Sequence, residues 1–120
     1  MLKRRILSVL LVLAMLVPFA GAAQTAQDNM RGVWVASVAN IDYPSSAGMT
    51  AQALAAEADT MLDNIAAMGL NTVFLQVRPS ADALYRSGLF PQSRYVSGTC
   101  GASPDGNFDV LAYWVEGAHE

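Results

Sequence analysis

The sequence predicts an α/β fold in which helices cover parallel strands. Residues 71–78 form a near-continuous apolar run, and Pro79 closes it because proline lacks the backbone donor that a continuing strand needs. Residues 30–42 contain a second strand-like run, and an amphipathic helix lies between the two. Strands this apolar are typical of parallel sheets. A connection as long as this helix makes the two strands parallel.

The amino terminus has the three-part pattern of a secretory signal peptide. Basic residues at positions 3–5 precede an apolar run over residues 6–17, and small residues follow it. Cleavage fits the small-residue rule after Ala22 and nearly as well after Ala23. The alternative is an uncleaved membrane anchor, but a spanning helix needs about 20 apolar residues and this run is shorter.

These observations divide the chain into three parts. We assign residues 1–23 to a signal peptide, 24–29 to a polar tether and 30–120 to the folded part. The signal peptide predicts an exported protein, periplasmic or extracellular, with no stable membrane span after cleavage.

Charge and cysteine content exclude several classes of function. Without residues 1–23 the chain keeps four basic and ten acidic residues, a net charge of −6, which disfavours nucleic-acid binding. The single cysteine, Cys100, excludes an internal disulfide, and its glycine-rich surroundings favour exposure. His119 is the only histidine and no metal-ligand motif occurs. We expect no metal and no cofactor.

The first half of the folded part reads as strand, turn and helix. The strand spans residues 30–42, with a body of Val33, Trp34, Val35, Ala36 and Val38. Residues 51–68 repeat apolar side chains at helical spacing, Thr50 can cap that helix, and Gly69 can end it.

The second half contains the second strand, a long loop and a last helix. Residues 80–86 suggest one helical turn, and residues 87–107 are rich in turn formers. A loop this long is often functional, although a solvated loop without a role is equally compatible. Asp109 can cap a helix whose apolar stripe comprises Leu111, Trp114, Val115 and Ala118.

Polar residues gather where both strands end. The carboxyl ends of parallel strands meet at one edge, where such folds place their chemistry. Asn40 and Asp42 would therefore lie on the same edge as Gln76, Arg78 and Asp82.

Three stretches carry a longer pattern: Met-Arg-Gly-Val-Trp-Val-Ala-Ser-Val-Ala-Asn-Ile-Asp-Tyr-Pro over residues 30–44, Gly-Leu-Asn-Thr-Val-Phe-Leu-Gln-Val-Arg-Pro over 69–79 with Asp-Ala-Leu-Tyr over 82–85, and Phe108-Asp109 with residues 114–119. In this order they resemble the glycosyl hydrolase-like family 10 of bacterial envelope proteins. Two positions depart from the family pattern: Tyr43 replaces an expected tryptophan, and Val110 replaces an expected proline.

The resemblance implies a TIM-like (β/α)8 barrel, of which this chain holds the first two βα units and is therefore truncated. It also implies hydrolysis of glycosidic bonds in a bacterial envelope polysaccharide, with peptidoglycan glycan strands as one such substrate. The catalytic carboxyl groups of related barrels come from later strands, so we expect them outside this chain and expect the chain alone to be inactive.

Each candidate substrate-binding residue has a structural alternative. Arg78 can clamp a sugar hydroxyl or carboxylate, or form an ion pair with Asp42 or Asp82. Those two carboxylates can orient sugar hydroxyls; alternatively, one of them belongs to a helix cap or turn and the other is solvated. Tyr43 is a candidate platform for sugar stacking. The side chains of Asn40 and Gln76 can bind ligand, although hydrogen bonds to backbone are commoner for such amides.

The remaining aromatic residues and His119 suit structural roles. Trp34 and Trp114 lie within apolar elements and are expected in the core. His119 suits the end of a helix. Three alternatives to the enzyme stay open at this point: a non-catalytic carbohydrate-binding or scaffold protein, an inactive gene fragment, and a self-contained small α/β domain. The oligomeric state is unknown from the sequence.

Overall fold

The computed structural model describes residues 29–104 and 108–120. In chain order the elements are β1 (Gly32–Val35), a 3-10 helix (Val38–Asn40), α1 (Ala51–Ala67), β2 (Thr72–Leu75), α2 (Arg94–Ser97) and α3 (Val110–Gly117). The predicted signal peptide and most of the predicted tether lie outside the described residues.

The two strands form a parallel pair, which confirms the predicted orientation. Gly32 lies opposite Thr72 and Val35 opposite Leu75, in a two-stranded sheet. Their amino-terminal ends are joined by Arg31, whose backbone N–H donates to Asn71 Oδ1 at 2.8 Å. The side chain of Arg31 also donates, from Nε, to the carbonyl of Gly69 at 2.8 Å. Both strands therefore start at the same level and end at the same edge.

Helix α1 begins and ends as the sequence predicts. The Thr50 hydroxyl accepts a hydrogen bond from Ala53 N–H, which satisfies one of the free donors of the first turn. At the other end Gly69 adopts φ +73°, a left-handed conformation that favours glycine. Leu70 N–H then donates to Ile65 C=O, and Gly69 N–H to Ala66 C=O. This pair of bonds is a Schellman motif, which turns the chain into β2.

The hydrophobic core lies on one face of the sheet, under α1 and α3. Its fully buried members are Val35, Tyr43, Leu54, Ala58, Leu84, Val96, Val110 and Trp114. Tyr43 packs edge to face on Trp114, with ring centroids 5.0 Å apart, and donates its hydroxyl proton to Leu54 C=O at 3.0 Å. The ring of Tyr43 thus joins α1 and α3 beneath the ends of the strands.

The opposite face of the sheet is open, and the prediction that Trp34 belongs to the core is wrong here. Trp34 pairs with Phe74 across the strands, and their side chains are 60% and 45% exposed. Alternation along a strand explains this, because the neighbours Val33 and Val35 face the helices instead. Gly32 leaves room for the aromatic ring: a Cβ there would lie 2.6 Å from a ring carbon of Phe74.

Two predicted elements differ from the structure. The first strand ends at Val35 rather than Asp42, because Ala39 and Asn40 adopt φ of 54° within and after a 3-10 turn. Residues 80–86 form no helical turn. Ala81 adopts φ 57°, and Ala83 instead pairs with Gln92 in an isolated parallel bridge.

The long loop after β2 is ordered in its described part. Ala83 N–H donates to Pro91 C=O at 2.9 Å and Ser93 N–H to Ala83 C=O at 2.8 Å. The Ser93 side chain caps α2, and Gly98 ends that helix at φ +81°. The loop is therefore a folded layer over the strand ends.

Helix α3 confirms the predicted cap and corrects the predicted stripe. Asp109 accepts from Ala112 N–H at 3.0 Å, and Trp114 is buried as predicted. Val110 is the other buried residue of the helix, whereas Val115 is 46% exposed. On its polar side, Tyr113 donates its hydroxyl proton to the carboxylate of Asp59 on α1 at 2.8 Å.

Apolar clefts lie beside both strands. One, of about 380 Å³, is lined by β2 and α3, including Val73, Leu75 and Leu111. The other, of about 240 Å³, is lined by β1 and α1, including Val33 and Ile65. None of the helices in residues 29–104 and 108–120 combines the length and the hydropathy of a membrane-spanning segment.

The burial of Tyr43 predicts a specific loss of stability at high pH. Burial raises the pKa of its phenol above the ordinary value of 10.0. The unfolded chain ionises this group above about pH 10, while the folded chain keeps it neutral, so the stabilisation present below pH 10 is lost as the pH rises. Tyr43→Phe should cost about 1 kcal/mol near neutral pH, for one hydrogen bond, and should show a weaker fall in stability above pH 10.

The measurement is denaturant unfolding of wild type and Tyr43→Phe between pH 7 and 11. Tyr85→Phe is the control, because the Tyr85 hydroxyl has no hydrogen-bond partner in the part of the chain that the structure describes. Equal pH dependence in wild type and Tyr43→Phe would contradict the assignment.

Candidate functional site

The polar residues predicted to meet at the strand ends do lie together on one edge. We call residues 36–44, which follow β1, and residues 76–95, which follow β2, the rim. The side chains of five of the six predicted binding residues make contacts within it; the sixth, Tyr43, is turned down into the core.

Gln76 joins the two halves of the rim. Its Oε1 accepts from the backbone N–H groups of Ser37 and Val38, both at 3.0 Å. In return the Ser37 hydroxyl donates to the carbonyl of Gln76 at 2.6 Å, and Ser37 is fully buried. The carboxamide oxygen of Gln76 therefore accepts hydrogen bonds from two backbone N–H groups, which connect the chain after β1 to the chain after β2.

Asn40 fixes the 3-10 turn to α2. Its Nδ2 donates to Pro44 C=O at 2.8 Å and to Tyr95 C=O at 2.7 Å, so both amide protons are used. Asparagine also suits the left-handed backbone at this position better than most residues. In the structure, the side chains of Asn40 and Gln76 therefore bind backbone groups. The Asn40 Nδ2 protons and the Gln76 Oε1 atom are occupied by these bonds.

The two aspartates of the rim hold turns. Asp42 accepts from Ala36 N–H at 2.7 Å through Oδ2, and its side chain is exposed. Asp82 is 3% exposed and accepts from Ser80 N–H at 3.1 Å through Oδ1. Asp42 therefore keeps contact with solvent, whereas the carboxylate of Asp82 is enclosed by its own turn.

Arg78 lies on an aromatic ring. Its Cζ is 3.5 Å from the centroid of the Phe90 ring, a cation–π contact. It makes no ion pair with Asp42 or Asp82 in residues 29–104 and 108–120, which removes the alternative that such a pair only ties the rim together. A stacked guanidinium keeps its in-plane N–H groups available, and the Arg78 side chain is exposed.

Tyr43 is not a sugar platform in this structure. Its ring is fully buried against Trp114 and its hydroxyl is bonded to the backbone of α1. A stacking platform needs one free face, so the prediction is corrected: the ring of Tyr43 supports the rim from below.

Tyr95 and Arg94 are rim residues that sequence reasoning missed. The Tyr95 hydroxyl lies 3.4 Å from Ser80 Oγ and 3.4 Å from Arg94 Nη2. Hydrogen bonds from Ser80 and Arg94 hold the pKa of Tyr95 below its ordinary value. One residue in the sequence could have indicated this helix: Ser93, which caps it directly before Arg94. The sequence analysis assigned the surrounding stretch to turns alone.

The rim offers hydrogen-bond donors and aromatic rings, but no arrangement for catalysis by itself. Glycoside hydrolysis needs two carboxyl groups on either side of the bond, and of the two here Asp82 is buried. Within the described ranges no three acidic, histidine or cysteine side chains lie close enough to share a metal ion.

Comparison with known proteins identifies the family. The Glycosyl hydrolase-like 10 family matches residues 29–120, three quarters of the chain, over both strands and the rim. This chain belongs to the Glycosyl hydrolase-like 10 family. The match confirms the resemblance stated from residues 30–44 and 69–85 and includes every rim residue described above.

Two named relatives support the assignment to the Glycosyl hydrolase-like 10 family. Glycosyl hydrolase YngK of Bacillus subtilis is 40% identical over 104 residues, which cover 87% of this chain. Glycosyl hydrolase DigH of Escherichia coli K12 is 32% identical over 119 residues, which cover 89% of it. The matched regions are 20% and 27% of these relatives, so the chain spans about a fifth to a quarter of their length.

Gln76→Leu should loosen the rim. The substitution removes the acceptor of two partly buried N–H groups, and we expect a loss of about 2 kcal/mol in the free energy of unfolding. Gln76→Glu keeps an acceptor oxygen and should lose less. Amide hydrogen exchange should become faster at Ser37 and Val38 in Gln76→Leu, and unchanged exchange at both would contradict this role.

Proposed function

We propose that this chain is the amino-terminal part of an exported glycoside hydrolase that acts on a bacterial envelope polysaccharide, with peptidoglycan glycan strands as the leading candidate. The observation that carries the proposal is the family match across both strands and their rim. The names of both relatives, Glycosyl hydrolase YngK and Glycosyl hydrolase DigH, support the reaction class.

The fold supports a (β/α)8 barrel as the complete architecture. Two parallel strands connected by a helix are the repeating unit of such a barrel. One face of the pair meets helices, while the other exposes Trp34 and Phe74, as expected for side chains that fill a barrel interior. The apolar clefts beside β1 and β2 are suited to neighbouring units on both sides.

The rim supports the position of substrate binding. In barrels of this kind the site lies at the carboxyl ends of the strands. Arg78 is the rim residue best placed to contact sugar, because its guanidinium is exposed and lies on Phe90. Asp42 is the second candidate, since one of its oxygens is bonded to Ala36 N–H and its side chain is exposed.

We assign the acid and the nucleophile or base to carboxyl groups outside the rim. Asp82 is buried and holds Ser80 N–H, which suits a turn better than proton transfer. The same observation favours a second candidate function, a carbohydrate-binding or scaffold protein that binds the glycan without cleaving it. The two functions share the rim and differ in whether a bond breaks.

Export follows from the proposed signal peptide. The basic residues at positions 3–5 and the apolar run after them support it. Mass spectrometry of the exported protein should find a new amino terminus at Ala23 or Gln24.

The decisive test is incubation of the full-length protein with purified peptidoglycan glycan strands. Hydrolysis should release shorter strands with new reducing ends, detected by chromatography and mass spectrometry. Arg78→Ala should lower kcat/KM by roughly 10- to 100-fold if its charged hydrogen bonds hold the sugar. Arg31→Ala is the control, because Arg31 lies at the opposite ends of the strands.

The possible outcomes separate the two functions. New reducing ends support the hydrolase. Binding without cleavage contradicts it and supports the scaffold. Neither binding nor cleavage of any envelope polysaccharide would contradict both.

A further inference from the structure

Tyr95 brings a phenol hydroxyl to the rim and is held there by both halves of it. Tyr95 belongs to α2, and its carbonyl accepts a hydrogen bond at 2.7 Å from Nδ2 of Asn40, in the 3-10 helix after β1. Its hydroxyl lies 3.4 Å from Oγ of Ser80, in the turn after β2. The phenol therefore has a fixed place at the carboxyl ends of both strands, the edge where barrels of this kind bind substrate.

The groups next to the Tyr95 hydroxyl are hydrogen-bond donors or hydroxyls. Arg94 Nη2 lies 3.4 Å from it, and a guanidinium can only donate. In the contact with Ser80, either hydroxyl can supply the proton. Tyr113 shows the opposite case, since its hydroxyl proton is donated to the carboxylate of Asp59 at 2.8 Å. Within residues 29–104 and 108–120, no carboxylate accepts the proton of Tyr95 in this way.

Both contacts of the Tyr95 hydroxyl are long, so neither fixes its proton. A strong bond between two hydroxyls measures about 2.5–3.0 Å, whereas both distances here are 3.4 Å. Tyr95 is half-buried and Ser80 is exposed, so a ligand can approach the pair from solvent. Hydrogen bonds at catalytic sites are often long in the free enzyme and tighten when substrate binds. A ligand oxygen can therefore accept this proton without displacing a strong bond.

The same neighbours make the phenol a stronger donor. Hydrogen bonds from Ser80 and Arg94 hold the pKa of Tyr95 below its ordinary value, because donors to the phenol oxygen favour the ionised form. Arg94 is the charged group that acts on Tyr95, while Asp82 in the turn after β2 and Cys100 after α2 act on Arg94 in turn. The 3-10 helix after β1 faces Tyr95 with uncharged residues only. A more acidic hydroxyl donates a stronger hydrogen bond.

From this cluster we propose that the Tyr95 hydroxyl contacts the substrate glycan and donates a hydrogen bond to one of its hydroxyl oxygens, with Arg94 and Ser80 as positioning residues that strengthen the donor. Bonds of this kind strengthen in the transition state of glycoside hydrolysis. The inference rests on the proposed function, because the glycan is the ligand of the same rim. Tyr95 adds a neutral donor to the carboxyl groups that break the bond and does not replace them.

The test measures how the full-length protein binds a glycan-strand tetrasaccharide whose glycosidic oxygens are replaced by sulfur, so that it resists cleavage. Calorimetry gives the dissociation constant between pH 7 and 11. Tyr95→Phe keeps the ring and removes the donor, so binding at pH 7 should weaken roughly three- to tenfold, as expected for one hydrogen bond. With the natural glycan the same variant should lower kcat as well, because the bond strengthens in the transition state.

The pH dependence of binding assigns the bond to this hydroxyl. Tyr95 donates only while it is protonated, so the affinity of wild type should fall as the pH rises through the lowered pKa of Tyr95. Tyr95→Phe should lack this fall. Arg94→Gln and Ser80→Ala each weaken an interaction that lowers the pKa, so the fall should move to higher pH in both. Carbon-13 NMR of the ring carbon that bears the hydroxyl follows the ionisation directly.

Two matched variants serve as controls. Tyr113→Phe removes a phenol hydroxyl that bonds Asp59 between the helices, and Arg31→Gln removes an arginine charge at the other end of the strands. Both should bind the tetrasaccharide as wild type does at every pH. Circular dichroism checks that each variant is folded.

The outcomes that overturn the inference differ from those that overturn the proposed function. Equal binding by wild type and Tyr95→Phe at pH 7 would exclude the contact, even if the glycan is bound or cleaved as proposed above. An equal fall of affinity with pH in both would assign the ionisation to another group. An unchanged pKa of Tyr95 in Arg94→Gln and Ser80→Ala would remove their positioning role. No binding by wild type or any variant would contradict the proposed function, and the inference with it.

Discussion

The reciprocal bonding between Gln76 and Ser37 is the constraint on which the rest of the rim depends. One side-chain oxygen accepts two backbone N–H groups from the loop after β1, and the Ser37 hydroxyl returns a bond to the chain after β2. Ser37 is buried, so these groups have little access to water as an alternative partner. The ends of both strands are thereby held at one spacing.

Two further residues, Tyr43 and Asn40, connect the rim to the structure below it and above it. Below the rim, Tyr43 joins α1 and α3 through Leu54 and Trp114, so the support of the rim is continuous with the core. Above it, Asn40 connects the 3-10 turn to Tyr95, and through Tyr95 to Arg94 and Ser80. The polar side chains that look like ligand contacts in the sequence therefore mostly build a platform. The charges left exposed on this platform are chiefly those of arginines.

Local signals predicted the ends of helices, whereas contacts between distant residues decided what the sequence missed. Thr50, Gly69 and Asp109 act within one turn of their own helices, so each is readable from its neighbours. Tyr43 is buried because its ring packs on Trp114, which lies 71 positions further along the chain. The residues next to Tyr43 in the sequence do not indicate this contact.

The other two errors have separate causes. The composition of residues 80–86 favours a helix, but the Asp82 carboxylate accepts a hydrogen bond from Ser80 N–H and stabilises a non-helical turn instead. Trp34 reads as core because strands of this composition are buried on both faces, yet within the described residues only the face with Val33 and Val35 meets helices. The direction of the strands, their shared edge and five rim residues were all predictable, because parallel pairing alone fixes them.

In the proposed function, the rim at the ends of β1 and β2 binds glycan. This binding is tested most directly by a crystal structure of the full-length protein with a glycan oligosaccharide, solved for a variant or a substrate analogue that is not cleaved. We expect a sugar within hydrogen-bond distance of the Arg78 guanidinium, with Trp34 and Phe74 enclosed inside a barrel. A sugar bound elsewhere, with the rim facing solvent, would contradict it.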